Sequence, residues 1–372
     1  MAGGRLTQPH RIAALDALRG LCAVAVVLFH FRTEGVLTNL PAIRRGWMFV
    51  DFFFVLSGFV LAHAYFSGIG RGVSPWRFLG LRLGRIYPLH LAMLLLMLAG
   101  EVGLWLVGGG RAAFAPGRTV GDFISSLLLL HASGTTDRLV WNGPSWSIAA
   151  EFWAYAAFAA LALTRRVWPF ALMAVAAGLT TLATHPDLHD ASFDLGVVRC
   201  LYGFSLGVLV WRLRGESDWR PPVWLATLAE ILLVAAVIGF ASLVWGGART
   251  LLAPILFAAA VAVFADDAGL VSRLLRLRPF ALLGTLSYGI YMVHPFVQAR
   301  LMEVLARLGL AETGSPDRLT AQGWQADAIT LATLALVIAA AAIAYRYVEA
   351  PARGWTRRRL GVADRGGDAA AW

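Results

Sequence analysis

Apolar runs of about 20 residues recur from one end of this chain to the other, and several hold charged side chains in their interior. About 20 helical residues cross a hydrocarbon core of about 30 Å. Runs of that length lie near 12–31, 47–66, 86–107, 145–163, 167–184, 195–211, 223–245, 249–265, 280–302 and 326–348. A shorter piece, 120–131, reads as interfacial or re-entrant. Lipid offers no partner to a backbone N–H or C=O, so each run must satisfy its own as a helix. The expected fold is all-α: a polytopic transmembrane helix bundle of about ten spans. Composition agrees, since only 15% of the residues are charged, against roughly 25% in a soluble domain that must cover itself with polar surface.

The formal net charge of +10 comes from 32 arginines and no lysine. Gathered in one patch, they would suggest nucleic acid, but they are spread over the short segments between apolar runs, and no nucleic-acid partner is expected. With ten spans, alternate segments hold 19 and 9 arginines, with four more inside spans. The arginine-rich side is expected to be cytoplasmic, which places both termini there. Residues 1–11 then form a short cytoplasmic N-terminus before a retained first span. Residues 12–350 form one transmembrane domain, and 351–372 a basic cytoplasmic tail. Cys22 and Cys200 lie in apolar runs with no metal or disulfide spacing, and no metal site is expected.

A charge at the bilayer centre costs roughly 2.5–3.5 kcal/mol on insertion scales, so each intramembrane charge needs a partner, a wet cavity or a task. The first span carries Asp16, Arg19 and His30. Arg19 and His30, eleven residues apart, fall on one helix face about 16 Å apart along the axis. Asp51 stands in the apolar stretch FVDFFFVLSGF, near the same membrane side as His30, where a carboxylate could orient the imidazole. Ser57 and Gly58 read as permitting close helix packing and not as nucleophilic chemistry. Arg82 and Arg85 form an R-x-x-R pair whose planar forks suit phosphate. In PSWSIAAEFW, Ser147 and Glu151 share a face with Tyr155. In GTLSYGIYMVHP, Ser287, Tyr291, His294 and Gln298 form a polar stripe. Arg346 and Glu349, at i and i+3, are expected to form a helix-end ion pair.

The segments LDALRG with a following FH, FVDFFFVLSGFVL, RLGRIYP, PSWSIAAEFW, GTLSYGIYMVHP and RYVEAPAR occur in that order over about 11–355. Together they resemble the acyltransferase 3 family, bacterial membrane enzymes that O-acylate surface polysaccharides, Nod factors and some antibiotics. The resemblance implies an inner-membrane enzyme that moves an acyl group, acetyl foremost, from cytoplasmic acyl-CoA to a hydroxyl of a carbohydrate or lipid-linked acceptor. Acyl-CoA is then a co-substrate, and no bound cofactor is implied. By position the resemblance implies a catalytic His30 and a family carboxylate at Glu151, and the residues themselves suggest that Asp51 or Glu151 orients the imidazole. The resemblance makes Arg82 and Arg85 donor-binding, with Arg19 beside them. The polar stripes themselves suggest that Ser147, Tyr291 and His294 line a cavity, His294 being also a candidate second catalytic group. The stand-alone type is expected, without an appended esterase-like domain. The rival reading is a transporter of lipid-linked sugars that uses the same charges as a path; such proteins often carry inverted repeats, and the chain has none.

Overall fold

The computed structural model describes residues 12–108, 113–215, 221–243, 246–311 and 319–361. The expected N-terminal segment 1–11 and the second half of the tail, 362–372, lie outside them. The helices are α1 (Ala13–His30), α2 (Val36–Asn39), α3 (Phe49–Tyr65), α4 (Pro75–Gly108), α5 (Val120–Leu127), α6 (Trp146–Ala162) and α7 (Trp168–Thr184). They continue with α8 (Gly196–Arg214), α9 (Val223–Leu243), α10 (Leu252–Phe264), α11 (Leu270–Leu275), α12 (Arg278–Arg307), α13 (Gly323–Ala344) and α14 (Ala350–Arg359). A π-turn, Tyr345–Glu349, joins α13 to α14. The described residues hold no β-strand, only three isolated bridges. The protein is an all-α polytopic helix bundle.

Ten of these helices lie on the ten apolar runs. Eight segments among the described residues have at least 18 residues and enough hydropathy to cross a membrane. α6 and α7, with 17 residues each, fall short of that length. A proline stands at the start of both: Pro144 in the 3-10 turn before α6, and Pro169 in the first turn of α7. Its fixed φ and missing N–H suit a helix start. α5 has eight residues, too few to cross, and is held by a capping box in which Thr119 and Asp122 satisfy each other's backbone N–H. α4 begins at Pro75, well before the apolar run, so Arg77, Arg82 and Arg85 are carried on the helix itself. The basic tail is also partly built: α14 packs on α4.

Two helix crossings set the frame, and both depend on glycine. A Cβ on Gly58 of α3 would lie 1.9 Å from the carbonyl oxygen of Phe204, and one on Gly207 of α8 would lie 1.9 Å from that of Val55. Where α1 crosses α12, a Cβ on Gly20 would meet Gly284 N at 2.5 Å, and one on Gly284 would meet Asp16 O at 2.5 Å. Without hydrophobic drive between helices in lipid, such backbone approach supplies the packing. Gly58→Ala or Gly207→Ala is therefore expected to force α3 and α8 apart, at a cost of at least about 1–3 kcal/mol each. Thermal unfolding in detergent checks this; unchanged midpoints would contradict it.

One buried carboxylate is purely architectural. Glu230 of α9, 1% exposed, accepts hydrogen bonds from the backbone N–H of Gly269, Val271 and Ser272 and from the Ser272 hydroxyl. It thus caps the first turn of α11, where free N–H groups need acceptors.

Candidate active site

A cavity of about 90 Å³ opens between α1, α3, α4, α6 and α12. Its lining includes Arg19, Arg82, Arg85, Ser147, Glu151 and Tyr291, so six of the nine expected site residues share one space. Arg19 reaches across to α12, donating from Nε to Ser287 Oγ (2.8 Å) and from Nη2 to Gly284 O (2.9 Å), with Asp16 at 3.3 Å. Arg82, 5% exposed, donates from Nη2 to the Tyr65 hydroxyl at 3.0 Å. Arg85 forms no hydrogen bond or ion pair with any described residue. The cations that bear on it are Arg353, Arg19 and Arg82, with the Glu349 carboxylate acting in the opposite sense.

Glu151 is the carboxylate among these cations. The Ser57 hydroxyl donates to it, which gives Ser57 a task beyond the packing made by Gly58. Farther from the arginines, Ser147 Oγ donates to the Tyr291 hydroxyl (2.9 Å), which donates to Pro144 O (2.8 Å). Tyr291 forms the end wall. Its ring stands 5.9 Å from that of His294, edge to face, and the His294 ring lies 5.0 Å from His30. His294 is fully buried with neither ring nitrogen hydrogen-bonded. Arg19 and His30 thus both face α12, as their spacing on one helix face requires.

His30 ends α1 and is exposed. Its Nδ1 lies 2.9 Å from Val26 O, one turn back. A carbonyl can only accept, so Nδ1 carries the proton and Nε2 keeps its lone pair. The Phe29 ring packs edge-on against it at 4.9 Å. His189 is near enough for its charge to be felt, and its ring lies 5.0 Å from that of Trp47.

Two expectations about carboxylates are corrected. Neither Asp51 nor Glu151 hydrogen-bonds His30. Asp51, fully buried, takes Arg199 in a two-pronged pair: Nε to Oδ1 at 2.9 Å and Nη2 to Oδ2 at 2.7 Å. The guanidinium lies 5.3 Å from the ring centroids of both Trp47 and Trp146 and also donates to Leu188 O and Ala191 O. Both oxygens of Asp51 are turned to Arg199, while the His30 ring bonds Val26 O. The signal was present in the sequence: an intramembrane arginine needs an intramembrane acid. Likewise Glu349 pairs with Arg353 at 2.8 Å, not with Arg346, whose guanidinium lies over the Tyr347 ring. The π-turn adds a residue per turn and rotates Glu349 away from Arg346.

A second histidine pair was not foreseen. His90 and His131 stack at 5.8 Å, both 1% exposed; His90 Nε2 bonds Ser126 O and His131 Nε2 bonds Ser145 Oγ. Burial, with a smaller push from His90, lowers the His131 imidazole in its loop to about 3, so it stays neutral. The pair anchors the 131–145 loop beneath α6.

The "Acyltransferase domain" family model matches residues 12–346. The chain belongs to the acyltransferase 3 family. Acyltransferase MdmB of Streptomyces mycarofaciens is 31% identical over 95% of this chain and 94% of its own length. Protein 2 in the picA locus of Rhizobium radiobacter is 35% identical over 41% of this chain and 82% of its own. No solved structure matches. The protein is thus a multi-pass membrane acyltransferase that transfers groups other than aminoacyl groups, and five of its six family segments meet at the cavity and at the histidine pair beyond Tyr291.

Proposed function

We propose that this acyltransferase moves a short acyl group, acetyl foremost, from acyl-CoA held at the arginine end of the cavity to a hydroxyl presented at His30. The observation that carries the reading is the Nδ1–H bond from His30 to Val26 O, which leaves Nε2 as a base at the open end of α1. Arg19 stands at the other end of the same helix face, beside Arg82 and Arg85 of α4 in the cavity lining, and all three offer planar donors to phosphate. The cavity beside the arginines, about 90 Å³ and ending at Tyr291 short of His30, has room for about three waters. That admits an acetyl group and keeps the nucleotide outside at the rim. The arginine excess on that side supports a cytoplasmic donor and an acceptor reached from the opposite face of a bacterial inner membrane. A carbohydrate or lipid-linked hydroxyl fits the exposed, aromatic-lined surroundings of His30.

In the transfer step, His30 Nε2 takes the acceptor proton as the hydroxyl oxygen attacks the thioester carbonyl. The tetrahedral intermediate collapses, the C–S bond breaks, and the imidazolium returns its proton to the departing thiolate. Products are the O-acyl ester and CoA. Glu151 balances the Arg82 and Arg85 charges, so that an entering donor phosphate meets a site with a partial counter-ion.

Purified protein in lipid nanodiscs is expected to release free CoA thiol from acetyl-CoA only when a glycan acceptor is supplied, and to use palmitoyl-CoA at least tenfold less well. Acceptor movement across vesicles without thiol release would favour the transporter. Equal use of both donors would overturn the size argument.

A further inference from the structure

We propose that the π-turn between α13 and α14 completes the donor site: Glu349 holds Arg353 beside Arg85 as a further arginine for the donor's phosphates. The proposal rests on the donor reading above and extends it to a part of the chain outside the R-x-x-R pair. The cavity itself is too small to hold a nucleotide, so the phosphates must be met at its rim.

Arg85 has three arginine neighbours, Arg353, Arg19 and Arg82, set against the Glu349 carboxylate, and has no ion pair of its own among the described residues. Such a cluster is costly unless an anion occupies it for part of the working cycle. Arg353 is the first of those neighbours. Its side chain is 18% exposed, and its Nε is buried with no partner. The guanidinium is fixed from two sides: Nη2 bonds Glu349 Oε2 at 2.8 Å, and the Tyr345 ring lies 5.2 Å from its centre. Glu349 is 2% exposed, and its second oxygen, Oε1, is buried with no hydrogen bond. The cations that bear on Glu349 are Arg353, Arg85 and Arg19, so this one carboxylate serves the cluster as a resident counter-ion.

The backbone is built to keep the two helices together. Gly84, between the arginines of the R-x-x-R pair, lies against α14; a Cβ there would fall 2.2 Å from Thr356 Oγ1. Farther along, Arg77 Nη2 donates to Gly361 O at 2.8 Å, clamping the end of α14 to α4. A π-turn in an otherwise α-helical span weakens the local ladder and is frequent at functional positions. Here it aims Glu349 and Arg353 at α4. Two forks side by side, Arg85 and Arg353, match a phosphate's oxygens better than one. In this arrangement Arg353 is a binding residue and Glu349 a positioning residue.

The test is binding of CoA and of pantetheine, which lacks phosphates, to the full-length protein in nanodiscs, by calorimetry. It is joined to KM and kcat with acetyl-CoA and with S-acetylpantetheine. Arg353→Ala is expected to weaken CoA binding and raise the acetyl-CoA KM by about tenfold or more, with kcat within about twofold and pantetheine binding unchanged. Arg353→Lys should recover part of the loss, and Glu349→Gln should move KM in the same direction as Arg353→Ala. Equal losses for CoA and pantetheine, or no loss for either, would overturn the proposal. If the wild-type protein binds CoA through Arg353 yet transfers nothing, the site stands and the transfer reading fails. If it binds CoA no better than pantetheine, the phosphate site falls with all its arginines.

Discussion

Replacing His30 with alanine is expected to slow acyl transfer by roughly 10²–10⁴-fold, the usual contribution of a positioned general base. The protein should still fold and still bind CoA. His30 is exposed at the last position of α1, and its hydrogen bond is to its own helix, so little packing is lost. His30→Gln separates the roles: an amide can donate to Val26 O but offers no basic nitrogen, and it should be nearly as slow as alanine. His294→Ala is a useful contrast. That ring is buried against both Tyr291 and His30, and its loss should loosen the His30 ring and lower kcat by a smaller factor. The measurement is single-turnover ester formation alongside CoA affinity for each variant. A His30→Ala protein with wild-type ester formation would remove the base from the mechanism. Loss of CoA affinity in the same variant would move His30 from the acceptor end to the donor end.

What the sequence made legible follows from which forces act locally. The spans were readable because hydropathy over about 20 residues is a local property, and all ten runs carry helices. The R-x-x-R pair with Arg19, and separately Glu151, Ser147 and Tyr291, were readable as site residues because a bilayer leaves few reasons for polar groups at such positions. Glu151, however, was expected toward the His30 side and lies in the cavity with the arginines. Which of them touch was not readable. Asp51 and His30 share a membrane side, but the partner of Asp51 comes from α8, 148 residues away, and its choice depends on how α3 and α8 cross at Gly58 and Gly207. The Arg346–Glu349 expectation failed for a different reason. It assumed 3.6 residues per turn, and Tyr345–Glu349 is wound as a π-turn. α14 was hidden because a basic, arginine-rich stretch reads as tail until the surface that receives it, Gly84 on α4, is known. The His90–His131 pair joins α4 to a loop, which periodicity cannot reach.

Arg199→Ala is expected to be among the most damaging single changes in this chain, and to act on folding and not on chemistry. Removing one member of a buried pair leaves an uncompensated charge, at a cost of about 3–5 kcal/mol. That is a large part of the roughly 5–15 kcal/mol that holds a typical domain together. Here Asp51 would keep its carboxylate, fully buried, with both former donors gone. The gap would also open between Trp47 and Trp146 and free the carbonyls of Leu188 and Ala191. The variant should therefore unfold or aggregate on extraction, with an unfolding midpoint many degrees below wild type. Arg199→Lys should fall between the two, because an ammonium keeps the charge but cannot span both oxygens. The pair can be told from a catalytic one by Asp51→Asn combined with Arg199→Met. Removing both charges together should restore much of the stability lost in Arg199→Ala, as apolar replacement of buried pairs often does. Transfer per folded molecule should then return toward wild type. A double variant that folds well but transfers nothing would return Asp51 to the catalytic group and open a route from Arg199 to His30 through Trp47 and His189.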